Sequence, residues 1–342
     1  MAKGPLDIAT PVAELAATQS PCVTERVFDS SRPLVIRGLV SHWPVVRAAL
    51  DSLQRVDQYL RGFYQGAAVT VSHGDPDIAG RVFYNDDMSG FNFTMERSRL
   101  DTVLDLLLAS SEESSPPLHY IGSTTVDNCL PGFRAENELP LKYEDALVSL
   151  WLGNQSRIAA HFDIPDNLAC VAAGRRRFTL FPPDQLQNLY IGPLDFAPAG
   201  QAISLVDFQQ PDFERFPRFR QAIERAQVTE LAPGDAIFIP SMWWHHVEGL
   251  EPINLLINYW WRESPAYMGS PADVLNHALL SMRDLPPAQR EAWRAAFEHY
   301  IFSANPDDAV AHIPPGRRGV LGPADDTRAR KLRALLLKHL NR

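Results

Sequence analysis

The stretch "GDAIFIPSMWWHHVEGL" (Gly234 to Leu250) joins a short apolar run to two tryptophan and two histidine residues. An apolar run bounded by glycine and proline predicts a buried strand. Side chains alternate between the two faces of a strand, so Trp243 and His245 share one face. Trp244 and His246 share the other face. Alternation alone leaves open which of the two histidines faces the interior.

Short segments of this kind dominate residues 116–262 and are bounded by Gly and Pro, a pattern typical of a β-sandwich or small barrel. The break "SEESSPP" (Ser111 to Pro117) separates them from residues 1–115, where helical and strand-like segments alternate. We therefore predict a flanking α/β segment at 1–115, packed on a β-rich domain at 116–262. The strand-like segments are "LHYIGS", "ALVSLWLG", "NLACVAAG", "RRFTLFP", "AIFIP" and "INLLINYWW".

Residues 263–342 have a helical pattern. Ser270, which precedes a proline, is a typical N-cap residue. Apolar residues between Trp293 and Ile301 recur at helical spacing and form one stripe, which needs a partner surface. The last segment, Ala324 to Arg342, predicts a helix with a solvated basic face and cations near its C-terminus.

Composition limits the classes of function. A net charge of −9 and a pI near 5.6 disfavour nucleic acid and anionic membranes as partners. The three cysteines, Cys22, Cys129 and Cys170, suggest neither a disulfide framework nor a thiolate zinc site. The sequence shows neither an export signal at its start nor a membrane-spanning apolar run. We therefore expect a cytoplasmic protein.

The stretch "AAHFDIPDN" contains His161 and Asp163, two residues apart, so that both side chains would point to one face of a strand. Together with one histidine of "WWHH" they could form a facial triad of two histidines and one carboxylate, which is typical of non-haem Fe(II) oxygenases. Zinc would more often recruit sulfur or a third histidine. The alternative is a pair of surface histidines beside an unrelated His-x-Asp.

Several motifs together resemble the cupin-like branch of the JmjC family, close to the asparaginyl hydroxylases that inhibit hypoxia-inducible factor. The resemblance runs from about Arg32 to Arg262. It implies a mainly β fold with flanking helices, in which a double-stranded β-helix (jelly-roll) core is followed by a helical C-terminal extension. It also implies Fe(II), the co-substrates 2-oxoglutarate and O2, and C–H hydroxylation coupled to decarboxylation of 2-oxoglutarate to succinate. The motifs are "RPLVIRGLVSHWP", "GRVFYNDDMSGFNF", "SLWLGNQSRIAAHFD", "GRRRFTLFPPDQLQNLY", "DFQQPDFERFPRF" and "GDAIFIPSMWWHHVEGL".

The resemblance also implies roles for individual residues. The metal ligands would be His161, Asp163 and His245, because the family pattern uses the first histidine of "WWHH". No catalytic residue is expected beyond these ligands. Trp260, on the face of Asn258, and Tyr84 are expected to bind the substrate. The co-substrate would be bound by Tyr120, Asn167, Arg176 and Asn258.

This sequence departs from the family pattern at three places. Arg176 stands where the family has a lysine for the distal carboxylate of 2-oxoglutarate, and its neighbours Arg175 and Arg177 would face outward as solvated charges. Ile158 replaces a threonine that also bonds 2-oxoglutarate. Ala202 and Ile203 replace polar groups that meet the target, so the same peptide-asparagine substrate is not expected.

The leading hypothesis is therefore a 2-oxoglutarate-dependent dioxygenase that hydroxylates a protein side chain or a small molecule. One alternative is a metal-dependent cupin enzyme with non-oxidative, isomerase-like chemistry. Another is a non-catalytic binding module with the same fold. Because related C-terminal helices form a dimer, we also expect a homodimer through residues Ser270 to Leu340.

Overall fold

The protein is described by a computed structural model, which covers residues 6–16, 23–198, 200–305 and 307–341. The chain divides into two compact units, Met1–Trp261 and Arg262–Arg342. The predicted boundary at residue 115 lies inside the first unit and stays a prediction. Cys22 lies outside the described residues. Within the described ranges, no helix is long and apolar enough to cross a membrane.

The strands of the described residues all lie in the first unit. In chain order they are β1 (Ala13–Ala16), β2 (Leu34–Arg37), β3 (Ala68–Gly74), β4 (Arg81–Val82), β5 (Thr94–Arg99), β6 (Leu118–Thr125), β7 (Leu147–Gly153), β8 (Arg157–His161), β9 (Asp166–Ala173), β10 (Arg176–Phe181), β11 (Gln227–Leu231), β12 (Ala236–Ile239), β13 (Trp244–Gly249) and β14 (Asn254–Trp261).

These strands form two facing sheets. The larger sheet has nine strands in the order β1-β2-β12-β9-β14-β7-β6-β3-β5, and the smaller has five in the order β11-β10-β13-β8-β4. Strands that are distant in sequence are neighbours in space, so the chain winds back and forth between the sheets. This arrangement confirms the expected double-stranded β-helix core with flanking helices.

The helices are divided between the two units. Those of the first unit are α1 (Glu25–Phe28), α2 (Pro44–Asp51), α3 (Leu53–Phe63), α4 (Leu100–Ala109), α5 (Val126–Cys129) and α6 (Phe219–Arg225). Those of the second unit are α7 (Pro271–Ser281), α8 (Pro287–Phe297) and α9 (Asp326–Leu340). A π-helical turn, Glu298–Phe302, follows α8.

Alternating side chains of the larger sheet supply two different cores. On β14, Leu255, Ile257 and Tyr259 are buried in the main core together with residues of α2, α3 and α4. Leu256 points the other way and packs in a second core with residues of the smaller sheet, among them Phe178. Helices α2, α3 and α4 therefore cover the outer face of the larger sheet, and its inner face borders the space between the sheets.

The N-terminal segment joins the two sheets at one end. Val12 donates its N–H to the carbonyl of Val228 on β11, at 3.2 Å. A few residues later, β1 pairs in parallel with β2 of the larger sheet. One short segment thus hydrogen-bonds to both sheets.

Within the second unit, the predicted N-cap is confirmed, because the Ser270 side chain accepts a hydrogen bond from the Ala272 N–H at 3.2 Å. The predicted apolar stripe continues from α8 into the π-helical turn. No residue of α7, α8 or α9 is buried. The large apolar side chains that stay exposed on these helices and this turn include Val274, Leu275, Leu280, Trp293, Ile301, Phe302, Leu336 and Leu337.

The turn between β9 and β10 requires glycine. Gly174 has a φ of +69°, and a Cβ atom there would lie 2.5 Å from the carbonyl oxygen of Ile253. We expect Gly174→Ala to lower the free energy of unfolding by about 3 kcal/mol. The cost of a left-handed backbone at alanine and the cost of the Cβ clash with Ile253 both contribute. Denaturant unfolding measures this.

Gly62 is the matched control, since a Cβ atom there would meet nothing within 4 Å. It lies in α3, so Gly62→Ala should raise the free energy of unfolding by about 0.5–1 kcal/mol. An unchanged denaturation midpoint for Gly174→Ala would show that the turn relaxes without cost.

Candidate metal centre

Three predicted ligands converge between the sheets. β8 and β13 are antiparallel neighbours, and their register places His245 directly opposite His161. β8 ends at His161, so Asp163 lies just beyond the strand rather than on it. One ligand atom from each of these three residues lies within 4.8 Å of the other two. Asp163 and His245 are 82 residues apart in the sequence, and the pairing of β8 with β13 brings them together.

Backbone carbonyls orient both imidazoles. The Nδ1 of His161 is 2.9 Å from the carbonyl oxygen of Ala159, and the Nδ1 of His245 is 3.0 Å from that of Trp243. A carbonyl oxygen only accepts, so each Nδ1 carries the proton and donates it. Each Nε2 then keeps its lone pair, which is the arrangement found in metal-binding histidines.

The carboxylate is also held in place. The Nδ2 of Asn167 donates to Oδ2 of Asp163 at 3.2 Å. The backbone N–H of Met242 donates to the Asp163 carbonyl at 2.9 Å. Met242 adopts a φ of +68° in the turn that leads into β13. The side chain and the main chain of Asp163 are thus fixed from two directions.

Burial keeps His245 in its neutral form. Burial lowers the pKa of His245 to about 4, and the neighbouring His161 lowers it further, while Asp163 opposes the shift. The imidazole is therefore unprotonated at neutral pH and can bind a cation.

The donor set fits Fe(II). The Nε2 of His245 lies 3.6 Å from Oδ2 of Asp163, and ligand atoms about 2.1 Å from one ion at right angles are about 3 Å apart. A small contraction would therefore bring both atoms onto a metal ion. Two histidines and one carboxylate leave coordination positions free, as in non-haem Fe(II) oxygenases. No sulfur or third histidine belongs to this group.

These ligands border a cavity that is partly open to solvent. Its wall is largely apolar, with Ile158 and Val247 from the smaller sheet and Leu256 from the larger one. Eight of the nine residues predicted for the site line it, namely Tyr120, His161, Asp163, Asn167, Arg176, His245, Asn258 and Trp260.

Arg176 is a cation in this cavity, and no acidic side chain among the described residues pairs with it. It is 2% exposed, and the only hydrogen bond of its side chain in the described part of the chain runs from Nη2 to the Trp151 carbonyl at 3.3 Å. Its Nε has no partner. Burial lowers the pKa of Arg176, and the nearby Tyr120 opposes the shift. A buried guanidinium with unused donors calls for an anion from outside the chain.

Tyr120 lies beside Arg176 and is 7% exposed. Burial raises the pKa of its hydroxyl to about 12, although Arg176 lowers it. The hydroxyl therefore stays protonated and can donate a hydrogen bond to an anion at Arg176.

The neighbours of Arg176 face away from the cavity, as the alternation predicts, but only one of them is solvated. Arg175 is exposed and pairs with Glu251 at 2.6 Å. The Arg177 side chain is only 13% exposed and pairs with Glu230 at 2.6 Å and Glu248 at 3.5 Å. The expectation of an ordinary solvated charge was therefore wrong for Arg177, because carboxylates from both neighbouring strands enclose it.

Tyr84 does not line the metal cavity. It is 3% exposed, and its hydroxyl donates to the Phe196 carbonyl at 2.5 Å. It packs with Ala159 and Ile203, and it borders a separate polar groove that also contains Arg81. Ala202 and Ile203 are buried as well. The position that departs from the family pattern is thus a packed apolar wall.

Trp151 is a site residue that the sequence interpretation missed. It lies in the quoted motif "SLWLGNQSRIAAHFD", yet no role was predicted for it. It lines the cavity, and its indole Nε1–H donates to Oδ1 of Asn258 at 2.9 Å. One signal could have revealed it. Trp151 lies two residues from Ser149, on the same face of β7, and Ser149 pairs with Asn258 of β14.

The family model described as the cupin-like domain matches residues 20–267, more than two thirds of the chain. The chain belongs to the cupin-like domain family. This assignment confirms the resemblance to the JmjC type that the motifs predict.

Curated members related to this cupin-like protein match it over different lengths. HSPB1-associated protein 1 of Bos taurus is 35% identical over 33% of this chain and 23% of its own length. Lysine-specific demethylase JMJ31 of Arabidopsis thaliana is 30% identical over 34% of this chain and 21% of its own length. Lysine-specific demethylase 8 of Xenopus tropicalis is 24% identical over 75% of this chain and 54% of its own length. The chain therefore spans about half of these relatives at most.

His246 lies on the opposite face of β13, where its ring centroid is 4.6 Å from that of Phe208. Burial lowers its pKa to about 3, below the ordinary value of 6.5. Between pH 6.5 and 3 the unfolded chain therefore binds a proton that the folded chain does not. The free energy of unfolding should therefore decrease as the pH is lowered through this range, by up to about 1.4 kcal/mol per pH unit.

We expect His246→Leu to remove this share of the acid sensitivity and to leave Co(II) affinity unchanged. Denaturant unfolding between pH 4 and 6.5 measures the slope, with the exposed His42→Leu as control. An unchanged slope would show that His246 is protonated in the folded state. Loss of Co(II) binding would assign it to the metal.

Proposed function

We propose that this protein is an Fe(II)- and 2-oxoglutarate-dependent dioxygenase that hydroxylates a C–H bond of a protein side chain or a small molecule. The observation that carries the proposal is the buried Arg176, which has no counter-ion among the described residues and shares one cavity with the His161, Asp163 and His245 group. A metal site alone would also suit an isomerase-like cupin enzyme. An added site for an anionic co-substrate favours the dioxygenase.

In this proposal each end of the co-substrate meets a different group. His161, Asp163 and His245 hold Fe(II), and Arg176 and the protonated Tyr120 bind the distal carboxylate. Arginine can donate two parallel hydrogen bonds to a carboxylate, which compensates for the hydroxyl that Ile158 lacks. When bound, Fe(II) and O2 would supply the oxidation of 2-oxoglutarate to succinate and CO2, coupled to hydroxylation of the substrate.

The other polar and apolar side chains orient the reactants and exclude water. Asn167 and Asn258 lie near the metal end, where their amides can bind the co-substrate. The apolar wall that includes Phe178 and Val247 lowers the local dielectric and strengthens each of these interactions.

Trp260 is the proposed substrate contact. It is half-buried in the cavity wall, and its Nε1–H is buried without an acceptor. A substrate or co-substrate oxygen would satisfy this donor. Two relatives are named lysine-specific demethylases, which supports a protein side chain as one class of substrate. The assignment of Tyr84 to the substrate stays a prediction.

The reaction is tested with purified protein, Fe(II), ascorbate and 2-oxoglutarate, and succinate is measured in the absence of prime substrate. We expect succinate from the wild-type protein and none from Asp163→Ala. Arg176→Met should weaken 2-oxoglutarate binding at least 100-fold, since the charge-assisted hydrogen bonds are lost. The ligand-free Arg176→Met protein should be as stable as wild type or more stable, because a buried unpaired charge is removed.

Arg175→Met is the matched control, because Arg175 directly precedes Arg176 in the sequence but is exposed. This variant should bind 2-oxoglutarate as the wild-type protein does. Absence of both succinate formation and Fe(II)-dependent 2-oxoglutarate binding would overturn the dioxygenase proposal. Metal binding with turnover of another anion would support the isomerase-like alternative. Ligand binding without metal would support a binding module.

We also propose a homodimer through Ser270 to Leu340. Isolated helices of 11 to 15 residues are marginal in water and are normally stabilised by a buried apolar face. None of α7, α8 and α9 buries a residue within one chain, while Leu280 is 77% exposed. A second copy of this unit offers a matching apolar surface.

The solution mass of the full chain tests the dimer. By light scattering, the wild-type protein should have twice the chain mass of 38.3 kDa. Leu280→Arg combined with Leu336→Arg should give a monomer, because two charges would enter the apolar interface. The control Leu50→Arg, at a site 68% exposed in the first unit, should remain dimeric. A monomeric wild-type protein would contradict the proposal.

A cytoplasmic location is proposed as well. Cys129 and Cys170 are free and buried, which is consistent with a reducing compartment.

A further inference from the structure

A line of hydrogen bonds runs from Trp151 to the proposed metal ligand Asp163. The indole Nε1–H of Trp151 donates to Oδ1 of Asn258 at 2.9 Å. The Nδ2 of Asn258 donates to Oδ1 of Asn167 at 3.4 Å. The Nδ2 of Asn167 donates to Oδ2 of Asp163 at 3.2 Å. Every donor in this line points toward the carboxylate.

The indole N–H of Trp151, which only donates, and the carboxylate of Asp163, which only accepts, favour the same direction for these bonds. An indole N–H can only donate, so it requires the oxygen of the Asn258 amide. The amide nitrogen of Asn258 must then face Asn167, and the same logic turns the nitrogen of Asn167 toward Asp163. Without the indole donor, both amides could rotate by 180° together, and Asn167 would then present its oxygen to the carboxylate, which is repulsive.

The three residues that precede Asp163 in this line are held firmly. Asn258 is 1% exposed and Asn167 is 6% exposed. The ring of Trp151 packs edge-on against Trp260 with a centroid distance of 5.8 Å. Few waters can compete for these groups, and hydrogen bonds in such surroundings polarise one another.

The same residue also touches the anion end of the cavity. The Trp151 carbonyl is the acceptor for Nη2 of Arg176 at 3.3 Å. Trp151 therefore bonds the cation through its main chain and the metal-side amides through its side chain.

We propose that Trp151 is a positioning residue, whose indole N–H orients the Asp163 carboxylate for the metal through Asn258 and Asn167. This inference rests on the metal centre of the proposed function, but it requires neither 2-oxoglutarate nor turnover. Partners that orient metal ligands typically change metal affinity 10- to 100-fold when they are removed. An effect transmitted through two amides should fall at the lower end of that range.

The test measures Co(II) binding to the full-length protein without 2-oxoglutarate. Trp151→Phe keeps an aromatic ring and removes the N–H, and we expect about 10-fold weaker Co(II) binding with an altered visible absorption spectrum. The matched control is Trp43→Phe, which removes an indole N–H that donates to the Glu138 carbonyl at 3.2 Å, away from the cavity. The control should bind Co(II) as wild type does.

A double-mutant cycle separates transmission from general loosening. Asn167→Ala should weaken Co(II) binding by itself. If the effect of Trp151 travels through Asn167, then adding Trp151→Phe to Asn167→Ala should cause no further loss. Additive losses, or Co(II) binding and absorption unchanged in Trp151→Phe, would overturn the proposal. Should Trp151→Phe fail to fold, Asn258→Leu interrupts the same line and must weaken binding at least as much.

His161→Ala keeps this test distinct from that of the proposed function. If His161→Ala binds Co(II) as tightly as wild type, the metal centre itself is refuted. If Co(II) binds at the centre and Trp151→Phe weakens it, the positioning role is supported whether or not succinate is ever formed.

Discussion

The antiparallel pairing of β8 with β13 is the constraint on which the candidate site depends. It places His245 opposite His161, and the two-residue period of β13 sends His246 to the other face. A register shift of one residue would exchange the two histidines and turn a ligand into a packed side chain. The core above and below the sheets resists such a shift, because every apolar neighbour would change face as well.

The second organising feature is electrostatic. One cavity of the first unit is lined both by the buried guanidinium of Arg176 and by the His161, Asp163 and His245 group. No acidic side chain of the described residues pairs with Arg176. The ligand-free fold thus retains an unfavourable charge at Arg176, which a bound anion would offset. Trp151 accepts a hydrogen bond from Arg176 and is linked to Asp163 through Asn258 and Asn167, so the two groups belong to one hydrogen-bonded structure.

Much of the fold and of the site could be predicted from the sequence. Strand segments such as "INLLINYWW" and the capped helix after Ser270 follow from local periodicity and capping, which depend on neighbours in sequence. Eight site residues were predicted because the family pattern assigns a face to each strand. Arg177 was misjudged, because its carboxylate partners come from β11 and β13, and no local pattern reports which strands will be neighbours.

The sequence by itself determined the alternation on each strand and the residue types available to hold a metal and an anion. Only the tertiary structure decided that His161, Asp163 and His245 meet and that Trp151 donates to Asn258. It also decided that no described acidic residue pairs with Arg176, and that the Tyr84 hydroxyl donates to the Phe196 carbonyl. The physical reason is that hydrogen bonds and charges act over a few ångströms in space. Contacts between strands tens of residues apart arise from sheet order, which local sequence does not encode.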